Sequence, residues 1–275
     1  MPRSAPLAAH HFEALGTTCS LFAVGLAPDR LIEGELWTRR MGERLTRFSP
    51  DSELSHFNTS AGRWVEISAE LEAVLQESLR AYETSGGLVN VAVLSSMIGI
   101  GYTKPMSEGR PTATLTAIRP LPALPDVLTI RPGAARLEPE TGIDLGGIAK
   151  GWMADRLHEA MGPNALANLG GDLSAAGVGP DGDGWPVGLG GVTVLLRDQG
   201  AATSSVRRRR WGGGEHHHLI DPRTGQPAQT GLEEVSVVAA SGVEAEVVAK
   251  TALLVGPELA PVFCAARALA WWLSP

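Results

Sequence analysis

The chain is poor in the features that assign a function most quickly. It has two cysteines in 275 residues, Cys19 and Cys264. They stand far apart in unlike contexts, so neither a disulfide framework nor a thiolate metal site is suggested. A basic surplus is missing too: the formal net charge is −7, and without a positive field to exchange for counterions nucleic acid is not the expected partner. The one basic run, Arg207 to Arg210, is short and reads as a solvated strand or loop edge. No apolar run reaches membrane-spanning length, and Met1 to His11 holds one arginine and no apolar stretch of signal-peptide size. The expectation is a soluble, cytoplasmic protein with no membrane span. A P-loop is absent, because Lys150 does not directly follow the last glycine of the required spacing and no Ser or Thr comes after it.

What the chain does have is a hydrophobic content of 44%, enough to bury a substantial core as one large domain or two intimately joined lobes. Its centre is the stretch Gly142-Ile143-Asp144-Leu145-Gly146-Gly147-Ile148-Ala149-Lys150-Gly151, continuing to Leu157. It reads as a strand end, a glycine turn and a helix, with Ile148, Met153, Leu157 and Met161 near helical spacing. Unpaired amides at the positive end of a helix make an anion site. Gly146 and Gly147 would let a phosphate approach, Lys150 supplies a cation, and the Ala149 carbonyl is expected to point outward. A plain strand-to-helix turn with a solvated lysine explains the same residues.

Around this centre the elements alternate. Phe12 to Leu26 reads as a strand pair turning at Leu15-Gly16-Thr17-Thr18, and Asp29 to Thr46 as an amphipathic helix with Asp29 as N-cap. In Phe48 to Asn58, Ser49 is the expected cap and Pro50 the first helical residue, and a short helix capped by its own hydroxyls needs no ligand. Ser68 to Thr84 is a second amphipathic helix, ended by Gly86-Gly87. Asn90, in an apolar run that a helix over Met97-Ile98 would continue, must be hydrogen-bonded to backbone or to something that arrives later. Thr103 to Ala134, rich in Pro and Gly, is expected to be an extended connection between lobes 1–102 and 135–275.

Later, Asn164 to Val178 reads as strand, Gly170-Gly171-Asp172, strand. Turn chemistry accounts for Asn168 and Asp172, yet the paired glycines also fit backbone passing close to a flat ligand. Short strands follow over Val187 to Leu189, Val192 to Leu196 and Ala201 to Thr203, and then Glu234 to Ala240. His216, His217 and His218 invite a metal reading, but on a strand at most His216 and His218 share a face, too few for zinc. Asp221-Pro222-Arg223-Thr224-Gly225 is a strong turn. Glu244 to Leu254 is a helix, and one more strand is expected beyond Ala270 to Leu273.

In this order the pieces resemble the FAD:protein FMN transferase, or ApbE, family over nearly the whole chain. The resemblance rests on Leu15-Gly16-Thr17, Phe48 to Asn58, Gly86 to Asn90, Asp144 to Arg156, Asn168 to Asp172, Thr203-Ser204 and His217 to Gly225, the last similar to the family's His-x-x-Asp-Pro-x-x-Gly element. It implies an α+β, two-lobed fold resembling the T-fold, mostly antiparallel sheet with packed helices. It also implies transfer of FMN from FAD to a Ser or Thr hydroxyl of an acceptor protein, with Mg²⁺ as cofactor and AMP released.

By the same resemblance, Gly146, Gly147, Lys150 and Gly151 would cradle the pyrophosphate, and Ala149 and Glu246 would hold Mg²⁺. His218 would orient the phosphates or relay a proton. Asp144, Asn168, Gly170, Gly171, Asp172, Ser204 and Asp221 would border the flavin and adenosine, with Leu15, Ser52 and Asn90 on other walls. The last helix departs from the family, which commonly carries aspartate followed four residues later by threonine. Here stand Glu246 and Lys250, and a protonated ammonium does not coordinate a metal. Three readings stay open: water fills the vacant metal position, Lys250 substitutes for the metal, or FAD is bound without being transferred. An FAD pyrophosphatase giving FMN and AMP is a further alternative. Asn90-Val91 stands where many members have Asp-Pro.

Overall fold

A computed structural model of the chain describes residues 6–60, 62–109, 119–207, 209–214 and 216–275. Residues 1–5 of the N-terminal reading, Arg208 of the basic run, Glu215, and positions 110–118 of the expected connection lie outside the described residues. Two compact units are present: residues 1–42, 149–204 and 234–275 form the first, and 43–148 with 205–233 the second. The division is not the one expected, since 103–134 falls inside the second unit. That stretch is not an extended connection: it carries the helix Leu124–Val127 and the strand Leu128–Arg131, with Leu124 and Leu128 buried. Its prolines start and interrupt short elements, which is why no period shows in the sequence.

The first unit is built on a seven-stranded sheet in the order Leu7–Ala14, Thr17–Val24, Ala165–Leu169, Leu173–Ala176, Gln199–Ser205, Glu234–Ala239, Ala270–Ser274. The first two strands pair antiparallel from Leu7↔Val24 to Ala14↔Thr17. Leu15 and Gly16 make the turn with φ of 56° and 69°, the positive-φ pair a two-residue hairpin needs. The alternation of side chains sorts the sheet's two faces. Cys19, Leu21 and Ala23 are fully buried, and Leu21 lies beside Gly34 and Leu157 of the helices Pro28–Leu45 and Ala149–Met161. Phe22 and Val24 instead pack with Trp185, Val187, Leu189 and Leu196 of the hairpin Trp185–Leu189/Val192–Leu196. Pro28, rather than Asp29, opens the first helix, where a proline without an N–H loses nothing. The last strand is the segment containing Trp271 and Trp272, paired to Glu234–Ala239, and Trp272 packs into the hairpin core.

In the second unit a three-stranded sheet, Val65–Glu66, Ala134–Leu137 and Leu128–Arg131, accompanies the helices Glu53–Asn58, Ala69–Thr84 and Leu94–Gly99. Ser68 caps the Ala69 helix as expected, accepting from the Leu71 N–H. Ser52, not Ser49, caps the Glu53 helix, and Pro50 lies in the turn before it. The ladders Arg210–Trp211/His216–His217 and Ile220–Asp221/Gln226–Pro227 complete the unit. Trp211 is buried and donates its indole N–H to the Ile100 carbonyl at 2.9 Å. Among the described residues, no helix is long and apolar enough to cross a membrane.

Candidate active site

In the first unit the helices Ala149–Met161 and Gly242–Val255 cross so closely that only glycine fits at the contact. A Cβ on Gly151 would lie 2.8 Å from Val243 Cα and 2.9 Å from the Gly242 carbonyl oxygen. One on Gly242 would sit 3.1 Å from the Gly151 carbonyl oxygen. Four residues beyond each glycine stands a carboxylate that takes amides of the opposite helix. Asp155 accepts from Gly242 N at 2.7 Å and Val243 N at 3.0 Å, and Glu246 accepts from Gly151 N at 3.0 Å. Each helix therefore caps the amino end of the other, where amides lack partners of their own. Asp155 and Glu246 are each 5% exposed. Burial holds the Asp155 carboxyl above its ordinary range against the opposing pull of Ser174 and the two amides. Ser174 also bonds His158 Nδ1 at 2.7 Å.

Two lysines complete this arrangement. Lys150, in the first turn of the Ala149 helix, pairs with Asp172, and Lys250 Nζ lies 3.9 Å from Glu246 Oε1. Asp172 follows a tight turn in which Gly170 and Gly171 have φ of 72° and 102° and Asn168 Oδ1 accepts from Gly171 N at 2.9 Å. A Cβ on Gly170 would run into the Thr17 side chain, so that glycine has a packing reason of its own. Ser204 is buried on its strand, and Leu15 reaches toward Gly42. Ala149 is the first residue of its helix, where a carbonyl runs along the axis and has a second lone pair beyond its helical bond.

The metal expected from the resemblance does not fit these donors. Glu246 holds the Gly151 amide with one oxygen and faces an ammonium with the other. Asp172 is paired to Lys150. Thr251, the nearest hydroxyl after Lys250, bonds back to the Val247 carbonyl at 2.7 Å. Among the described residues no group of three or more His, Cys, Asp and Glu could hold an ion. A hard divalent cation needs several free oxygens in near-octahedral array.

The second unit carries the remaining expected residues. Asp144 accepts from Gly146 N at 2.7 Å and pairs through its other oxygen with Arg47 Nε. Arg47 is 5% exposed in its side chain and stacks 4.2 Å from the Phe48 ring centroid and 4.8 Å from that of Tyr102. The glycine turn is further held by Asn58, which donates to Ile143 O at 2.9 Å and accepts from Ile143 N at 2.7 Å. With Gly146 N met by Asp144 and Gly151 N by Glu246, two amides expected to cradle phosphate already have carboxylate acceptors. Gly147 is half-buried.

Ser52 accepts from Ser55 N and donates to Thr46 O, and Asn90 accepts from Ala92 N and donates to Pro122 O, so local backbone accounts for both side chains. Asp221 is bracketed by Arg223 through its backbone N–H and guanidinium. His217 is buried against the Ala228 carbonyl, and burial pushes its imidazole below the ordinary range, while His218 beside it is half-buried. Neither cysteine suits a nucleophile: both are buried, and burial pushes each thiol up to about 11.

Sequence reasoning did not single out Asp155 or Arg47. For Asp155 a signal existed: Gly151-x-x-x-Asp155 and Gly242-x-x-x-Glu246 repeat one spacing on two helices. For Arg47 there was none, because its partner Asp144 lies 97 residues away.

Comparison with known proteins places the chain in a family. The ApbE family model matches residues 15–271. A protein of Haemophilus influenzae named FAD:protein FMN transferase is 27% identical over 239 residues, covering 78% of this chain and 69% of that one. One of Vibrio cholerae with the same name is 27% identical, covering 89% and 80%. The crystal structure of the Pseudomonas stutzeri flavinyl transferase ApbE, in its apo form, superposes with a TM-score of 0.81 at 22% identity, covering 98% of this chain and 93% of that one.

Proposed function

This chain belongs to the ApbE family, and from that premise we propose that it transfers the FMN part of FAD to a Ser or Thr hydroxyl of an acceptor protein, releasing AMP. The acceptor oxygen attacks the flavin-side phosphorus, the bond from that phosphorus to the bridging oxygen breaks, and AMP leaves with the bridging oxygen. The hydroxyl proton passes to a base, a role that the resemblance alone gives to His218. Such a reaction asks for positioning and for neutralisation of charge developing on phosphate oxygens.

One observation supports the reading above the others. Two ammonium groups, Lys150 and Lys250, stand in the first unit, each partnered by a buried carboxylate. Lys150 lies in the amino-terminal turn of the Ala149 helix, and Lys250 reaches Glu246, which caps that same turn. A helix amino end with fixed cations suits a diphosphate. Asn168, Asp172, Ser204 and Leu15 are proposed ligand contacts, and the resemblance alone gives the same role to Asp144, Gly146, Gly147 and Asp221. Gly151, Ser52 and Asn90 are assigned to shaping the backbone, because Glu246 holds the Gly151 amide and nearby backbone engages the Ser52 and Asn90 side chains. The Mg²⁺ that the resemblance implies has no fitting donor set here.

The test is to co-express the protein with a hydroxyl-bearing acceptor and read the acceptor by mass spectrometry, with chromatography of the nucleotide products. Addition of an FMN with matching AMP release is expected. Free FMN without acceptor labelling would make it a pyrophosphatase, and intact bound FAD would make it a flavin-binding protein; either outcome overturns the transfer reading.

A further inference from the structure

Resting on that reading, we propose that Lys250 supplies the positive charge a divalent cation would otherwise bring, so that this chain cleaves FAD without a metal. The donor set carries the argument. Glu246 is buried with both oxygens engaged, one by the Gly151 amide at 3.0 Å and the other facing Lys250 Nζ at 3.9 Å. One oxygen of that carboxylate stays on the Gly151 amide, in a helix contact crowded by Val243 and Gly242 backbone, so only the oxygen that faces Lys250 is placed to meet an ion. The position one helical turn after Glu246 presents an ammonium, which repels a dication at this range and offers it no lone pair. The nearby Thr251 hydroxyl does not make good the loss, because it bonds Val247 O.

The same features that exclude an ion build a substitute for it. Lys250 stands on the helix Gly242–Val255, 14% exposed in its side chain, with the Glu246 carboxylate 3.9 Å from its ammonium. Lys150, paired to Asp172, is 18% exposed in its side chain. Two anchored ammonium groups can meet phosphate oxygens as point charges with little reorganisation when negative charge grows there.

Two measurements on the whole 275-residue chain decide the question. Mn²⁺ titration followed by electron paramagnetic resonance reads ion binding without turnover, and AMP release from FAD is compared in EDTA and in Mg²⁺. For the wild-type protein, no Mn²⁺ uptake at sub-millimolar concentration and rates equal within about twofold with and without chelator are expected; Lys250→Arg keeps both behaviours. Lys250→Thr is expected to take up Mn²⁺ and to become chelator-sensitive by about tenfold or more. Stoichiometric Mn²⁺ binding by the wild type, or loss of about tenfold in its AMP release on adding EDTA, overturns the proposal. Failure of a folded Lys250→Thr to gain Mn²⁺ overturns the role given to Lys250. If the wild type releases no AMP under any condition, the transfer reading fails, while the Mn²⁺ titrations still decide whether Lys250 excludes the ion.

Discussion

The two units hold their polar residues in place by different means. In the first, carboxylates reach between helices: Asp155 and Glu246 each take amides of the other's helix across a glycine contact. In the second, single side chains bracket loop backbone, Asn90 at Ala92 and Asp144 at Gly146 close in sequence and Asn58 at Ile143 across 85 positions. Interhelical clamps through glycine leave no slack, because a neighbour made of backbone cannot yield. Loop brackets hold shape locally and tolerate small shifts. A cation that must keep its position belongs on the first kind of support, and Lys250 has it.

The comparison is best broken at its one exception, the buried ion pair in the second unit. Arg47→Ala leaves Asp144 without its cation and empties the space between Phe48 and Tyr102. We expect a loss of about 3–5 kcal/mol in urea-monitored stability, the usual effect of removing one partner of a buried pair. A loss no larger than for a surface arginine would place this pair with the loop brackets.

Next in size is Gly151→Ala. Alanine raises intrinsic helix propensity by about 1 kcal/mol, but the new Cβ meets backbone, and such overpacking costs typically 1–3 kcal/mol or more. With backbone atoms at 2.8 and 2.9 Å the clash dominates, so the melting temperature is expected to fall. A rise would mean that the helices do not approach as described.

Asp155→Asn tests the clamp's charge. Asparagine has one acceptor where two amides point, and its NH₂ would face an N–H, for an expected loss of about 1–3 kcal/mol. The pH dependence has a defined sign. Burial raises the folded-state carboxyl above its unfolded value, so the folded protein holds that proton more tightly. The contribution is fully present below the unfolded pKa and is lost as pH rises through the folded one. The wild type's advantage over the variant should therefore narrow on going from acid toward neutral pH. A widening gap in chemical denaturation would show that the two amides outweigh burial.

Ser52→Ala is the smallest. Removing this cap should lower stability by about 1 kcal/mol and leave FAD affinity unchanged. A lowered affinity at unchanged stability would return Ser52 to the ligand.

Much of this was legible beforehand where it depends on neighbours in sequence. The Leu15-Gly16 turn, the two amphipathic helices, the strand-glycine-strand passage at Asn168 to Asp172 and the hairpin at Asp221 follow from local pattern. Errors arose where one local signal could serve two elements. Ser49 and Ser52 both suit a cap, and the choice turned on Ser52 also reaching the Thr46 carbonyl. The prolines of 103–134 suggested a connection because single short elements leave no periodicity.

The chain's order of residues by itself determined which groups carry chemistry: a lysine after a glycine turn, a carboxylate and an ammonium one helical turn apart, a histidine before an Asp-Pro turn. What each is free to do was decided only by tertiary structure. Hydrogen bonds between Gly151 and Glu246, or between Asp144 and Arg47, join residues about a hundred positions apart. An amide or carboxylate already engaged in the fold can meet a ligand only by giving up that bond, and no local pattern records that engagement.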